Sequence, residues 1–175
     1  MKKFISLFLV LLICLSAFSS CTSTRELDWQ ELSNALGEAD ERYKYSFLDL
    51  IFYNDAYHVF LSLKDKDDVI LSLTTDDGLV TGVTATASYK TLSKDGGYNE
   101  YLQLCRTISN VFALASDDET ESVLKEICVT DTANYFKECY KTYELGHYRY
   151  TYSSNNLFIS FSCEYFESEE ISLKR

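Results

Sequence analysis

Apolar residues at every second position constrain this chain more than any other feature. Tyr57, Val59, Leu61 and Leu63 alternate with His58, Ser62 and Lys64, and Val69, Leu71 and Leu73 repeat the pattern around Ser72 and Thr74. A period of two sends successive side chains to opposite faces, so each run predicts a strand with one buried face. The chain has no proline, which leaves its turns to Gly, Asn and Asp. The separators are Asn54-Asp55, Asp65-Lys66-Asp67-Asp68 and Asp76-Asp77-Gly78. The last carries the Asp-Gly pair favoured in two-residue hairpins. An antiparallel meander of four strands is therefore expected, at about 45–53, 57–64, 69–75 and 79–89.

The period then changes. After Asp95-Gly96-Gly97, residues Tyr101, Leu104, Cys105, Ile108, Val111, Phe112 and Ala115 recur at helical spacing up to Ser116. That serine and Glu119 have the spacing of a capping box, and Val123, Leu124, Ile127 and Cys128 supply the next apolar face. So short a turn predicts an antiparallel helical hairpin. Earlier in the chain, Ser23 and Glu26 have the same capping spacing, before a short helix that buries Trp29, Leu32 and Leu36 and stops at Gly37. The stretch 131–145 reads either as a helix capped by Asp131 and carrying Phe136, Cys139 and Tyr143, or as ending in a strand. Tyr148, Tyr150 and Tyr152, then Leu157, Ile159, Phe161, Cys163 and Tyr165, alternate about a turn at Asn155-Asn156. Strands, helices and strands in that order predict an α+β fold: an antiparallel β-meander, a helical hairpin, then a C-terminal β-hairpin, with the helices packed on one face of the sheet. Cystatin-like and β-lactamase-inhibitor-like domains have comparable layers, a likeness of architecture that carries no function.

The first twenty residues belong to a different kind of segment. Lys2 and Lys3 precede an uncharged run from Phe4 to Phe18, the order of an export signal. Fifteen helical residues reach only about 22 Å, short of the ~30 Å needed to span a bilayer core. Cleavage would take Lys2 and Lys3 away and move the formal charge from −11 to −13. A surface of that sign repels nucleic acid and anionic headgroups, so nucleic acid is not an expected partner, and attachment to a membrane has to be covalent or hydrophobic.

The residues Phe18-Ser19-Ser20-Cys21 at the end of that run resemble the cleavage motif of bacterial lipoprotein precursors. The resemblance covers residues 1–21 alone. It implies a cleaved signal at 1–20, a diacylglyceryl thioether on Cys21 as the new N-terminus, and anchorage in the bacterial cell envelope. Ala17-x-Ser19 offers the alternative of ordinary cleavage before Ser20. Counting cysteines favours lipidation. Ordinary cleavage leaves five, an odd number, whereas modifying Cys21 leaves Cys105, Cys128, Cys139 and Cys163, which can pair. Behind the anchor, residues 21–42 form the lipidated N-terminus with its short helix, and 43–175 a single α+β domain.

Within that domain the residues assign no chemistry. In a helical hairpin centred on Ser116, Cys105 and Cys128 fall at one level, which makes them a candidate disulfide and leaves Cys139 with Cys163; buried free thiols are the alternative. The two histidines, His58 and His147, lie far apart, and there is no C-x-x-C, so no metal site is expected. Asp65-Lys66-Asp67-Asp68 lacks the glycine and glutamate of a calcium loop. No G-x-S-x-G, phosphate-loop, H-E-x-x-H or dinucleotide motif occurs, and no cofactor is expected. On the presumed outer face, Phe60, Phe158 and Phe166 form a candidate recognition patch. The expectation is a membrane-anchored envelope lipoprotein acting as a non-catalytic binding or inhibitor-like module on an envelope protein. The alternative is an envelope enzyme pairing Cys105 or Cys163 with His58 or His147, or using two carboxylates.

Overall fold

The computed structural model describes residues 26–40, 45–53, 56–63, 66–131 and 137–166. Its elements are α1 (Trp29–Ala39), β1 (Tyr45–Tyr53), β2 (Ala56–Leu63), β3 (Lys66–Asp76), β4 (Leu79–Ser88), α2 (Tyr89–Leu92), α3 (Gly97–Phe112), α4 (Asp117–Glu126), β5 (Cys139–Leu145), β6 (Tyr148–Ser154) and β7 (Phe158–Tyr165). The strands form one antiparallel sheet in the order β1-β2-β3-β4-β7-β6-β5. The expected α+β fold is present, with its four-strand meander, helical pair and C-terminal strands.

Period two sets the faces as expected. Val59 and Leu61, Leu71 and Leu73, Val83 and Ala85, Ile159 and Phe161, and Tyr150 and Tyr152 all point into the core. The opposite face is a cross-strand row of hydroxyls, with Ser72, Thr84, Ser162, Thr151 and Thr142 in register. Asp77 and Gly78 both adopt positive φ, 47° and 84°, the geometry that an Asp-Gly hairpin requires. Helix α3 lies at the centre of the covering layer. Its buried Tyr101 donates a 2.8 Å hydrogen bond to the Ala85 carbonyl, tying helix to sheet.

Several local expectations shift. The first helix is capped by Asp28 and Glu31 rather than by Ser23 and Glu26, and it runs past Gly37 to Ala39. Glu26 and Leu27 instead precede the helix: the Val80 amide donates to the Leu27 carbonyl, and Asp28, in extended backbone, bridges Leu79. Ser23 lies outside the described residues. Lys66 and the residues after it already belong to β3, and Ser88 ends β4 by capping α2. Helix α3 stops at Phe112, four residues before the expected Ser116, because Leu114 takes a left-handed φ of 54°. The capping box at Ser116 and Glu119 forms as expected. Residues 139–145 are strand, so the strand reading holds for the end of that stretch, while 132–136 lie outside the described residues.

A candidate docking surface at the β1 edge

The two edges of the sheet differ in chemistry. Strand β5, at one edge, carries Lys141 and Glu144, the latter paired with Arg149, and it touches α4. Strand β1, at the other, has one charged residue, Asp49, and no basic one. Native edges are usually blunted by lysine, proline or cover, because their unpaired amides and carbonyls accept another strand. This edge has a bulge between Phe47 and Asp49 but no lysine or proline.

The bulge also sets which side chains share a face. Phe47 pairs with Leu61, Leu50 with Val59, and Phe52 with Tyr57, which places them on the helix side of the sheet. Ile51, opposite His58, and Tyr53, opposite Ala56, fall on the other side. The helices pack over β3, β4, β5 and β7, and from that layer the Trp29 ring reaches Phe47 at 5.8 Å. Phe47, Leu50, Ile51, Phe52, Tyr53 and Tyr57 are consequently between 46% and 64% exposed, on both faces of one edge. The Phe52 and Tyr57 rings pack at a tilt of 52° with centroids 4.9 Å apart, and the His58 ring nitrogen lies 3.3 Å from the Tyr53 carbonyl.

Burying the exposed half of six such side chains is worth roughly 1 kcal/mol each, about 6 kcal/mol gross. Free association costs an estimated 4–15 kcal/mol in lost translation and rotation. The patch alone is thus marginal for a partner met in solution. A partner held close by other means would pay less of that cost, because its effective concentration is raised.

The thiols lie elsewhere. Cys105, Cys128, Cys139 and Cys163 are all free, so neither expected pair is formed. Arg106 with Glu121 and Asn110 with Asp117 centre the helical hairpin on Ala113-Leu114 rather than on Ser116. Cys105 is then about level with Ser122, while Cys128 lies beyond the end of α4 at a φ of 64°. Cys105 and Cys163 are buried, and desolvation pushes both thiols well above their ordinary range despite the nearby hydroxyls of Tyr101 and Tyr150. A buried neutral thiol is a poor nucleophile. Alkylation of the native protein at mildly alkaline pH is expected to label Cys128 and Cys139 and to spare Cys105 and Cys163. Unfolding without reductant should expose all four to the reagent; fewer would mean that a pair had formed.

The other candidate groups are dispersed. His58 is on the outer face of β2, and His147 sits in the β5–β6 turn beside the Tyr165 ring. Among the described residues no cluster of three metal-ligating side chains occurs. Phe60, Phe158 and Phe166 do not make the expected patch. Phe158 pairs with Ser88 at one end of the sheet, Phe166 lies under the Arg149 guanidinium at the other, and Phe60 is on β2. The tyrosine ladder is core, since Tyr150 and Tyr152 are buried against Phe161 and its neighbours. The segment that carries the exposed Phe47, Leu50, Ile51, Phe52 and Tyr53 reads in the sequence simply as a strand. Its signal was apolar residues on both faces, a pattern that ordinarily marks a central strand; only the sheet order shows it to be an edge.

No protein family, curated protein or solved structure matches this chain.

Proposed function

We propose that the chain is an exported envelope lipoprotein, held in the membrane through Cys21, whose α+β domain acts without catalysis by binding another envelope component along β1. The observation that carries this reading is an edge strand to which no further strand is paired among the described residues. Large apolar side chains are presented together with a strand edge that pairs with no further strand among the described residues, its Leu50 amide donating to the Asp49 carboxylate, while the thiols of Cys105 and Cys163 are withdrawn into the core. Strand addition at such an edge supplies main-chain hydrogen bonds for affinity and alternate side chains for specificity. The anchor confines domain and partner to the same surface, which lowers the cost of their association.

The test is capture from detergent-solubilised envelopes by the wild-type chain and by the double variant Leu50→Asp, Ile51→Asp, which places a charge on each face of β1. Both positions are half-exposed, so the fold should lose little stability, within about 1 kcal/mol. Loss of the captured component by at least about tenfold is expected, the scale of a disrupted hot spot. Leu157→Asp, at an exposed turn, should leave capture unchanged. Equal capture by the β1 double variant would remove this edge as the binding surface.

A further inference from the structure

The antiparallel register gathers particular features at one end of the sheet. Strand β1 finishes there at Tyr53, β2 begins at Ala56, and the β3–β4 turn lies at Asp77-Gly78. The first of the described residues also lie at this end, with Leu27 and Asp28 against the first residues of β4. Phe52, Tyr53 and Tyr57 project from the β1–β2 end, more than half exposed, with Leu79 beside the β3–β4 turn.

Seven residue steps separate Cys21 from Asp28, a reach of at most about 25 Å. An anchor at Cys21 therefore holds this end of the sheet toward the bilayer. The turn carrying Leu157 and Phe158 lies at the opposite end, a further strand length of roughly 26 Å away. Aromatic side chains with an apolar body and a polar rim favour the bilayer interface, which describes Tyr53 and Tyr57 beside Phe52. Electrostatics contributes nothing favourable, since the charged residues next to this end in the sequence, Asp55 between Tyr53 and Tyr57 and Asp76-Asp77 at the β3–β4 turn, are acidic.

On this basis, and resting on the lipid-anchor reading, we propose that the β1–β2 end is a second, hydrophobic membrane contact: Phe52, Tyr53 and Tyr57 seat in the interface of a neutral lipid surface and fix the orientation of the domain. The occupant of Phe52, Tyr53 and Tyr57 is lipid because the anchor already holds this end within reach of the bilayer; Phe47, Leu50 and Ile51, farther along the edge, remain the surface for the protein partner. Interfacial insertion also needs no partner for the edge amides, which stay hydrated.

The lipidated full-length chain, reconstituted in phosphatidylcholine vesicles with brominated acyl chains, provides the test. Tryptophan is placed by Phe52→Trp, by Tyr57→Trp and, at the far end, by Phe158→Trp, and each emission is read against the wild-type chain, whose single tryptophan is Trp29. Bromine quenching at positions 52 and 57 should exceed that at 158 by at least about twofold, as expected for side chains at the interface. Raising the salt should leave this difference unchanged, because the contact is apolar. If the chain floats with the vesicles but positions 52 and 57 are quenched no more than 158, the anchor stands and the membrane contact is refuted. Shielding of those positions only when envelope protein is added would refute the contact equally. If the chain does not float at all, the anchor fails and this contact with it.

Discussion

Gly97→Ala is expected to destabilise the domain by about 2–3 kcal/mol, enough to lower the melting temperature by roughly 5–10 °C. The direction is not obvious from propensity, because alanine in place of a helical glycine usually gains about 0.5–1 kcal/mol. Packing decides the sign. A Cβ at this position would sit 2.2 Å from the Thr91 carbonyl oxygen and 3.1 Å from its carbonyl carbon. Those atoms are backbone of the short helix α2, so they cannot move aside as a side chain would. The amide of Gly97 also donates a 2.9 Å hydrogen bond to the Lys94 carbonyl, which fixes the approach. This glycine lets the chain leave β4, make one turn of α2 and fold α3 directly onto the sheet. Gly96 is the internal comparison. Its φ is +74° and a Cβ there meets nothing within 4 Å, so Gly96→Ala carries only the left-handed penalty, roughly 1 kcal/mol. Thermal melts of the two variants should rank in that order, and a Gly97→Ala protein as stable as wild type would disprove the close approach.

That pair of glycines illustrates what the sequence makes legible. Asp95-Gly96-Gly97 marks a break between strand and helix, but nothing in it distinguishes a residue held by φ from one held by a neighbouring carbonyl. The strands were readable because period two is a local property, and the Asp77-Gly78 turn because its chemistry demands positive φ. The capping box at Ser116 and Glu119 was readable for the same reason: its Glu119 carboxylate accepts from the Ser116 hydroxyl and amide, which hold it below the ordinary carboxylate range. The level of Cys105 against Cys128 was not readable, since it depended on where α3 stops. Leu114 in a left-handed conformation has no sequence signature. The β1 surface was hidden for a topological reason. Residues 45–53 read the same in a central strand as at an edge, and only the order β1-β2-β3-β4-β7-β6-β5 places them at an edge among the described strands.

Cys21→Ser should have the largest effect on where the protein resides, moving it almost completely from the membrane fraction to the soluble one. A diacylglyceryl group on Cys21, as proposed, would contribute about 0.8 kcal/mol for each buried CH₂, so preventing its attachment removes nearly all of the proposed membrane affinity. What remains, once ordinary cleavage at Ala17-x-Ser19 removes the apolar signal, is the aromatic end of β1 and β2. Three half-exposed rings supply roughly 1 kcal/mol each, about 3 kcal/mol in all, too little to retain the domain through a wash. The acidic surface offers no electrostatic substitute. Ordinary cleavage before Ser20 makes the opposite prediction, because Cys21 would then be a free thiol and its replacement would leave the distribution unchanged. Fractionation of the two proteins under equal salt distinguishes the alternatives.

The most direct test of the anchored-lipoprotein account is the intact mass of the wild-type protein recovered from membranes. A chain beginning at residue 21 and heavier than its polypeptide by a diacylglyceryl group or more is the predicted result; an unmodified chain beginning at Ser20 and recovered in the soluble fraction would contradict it.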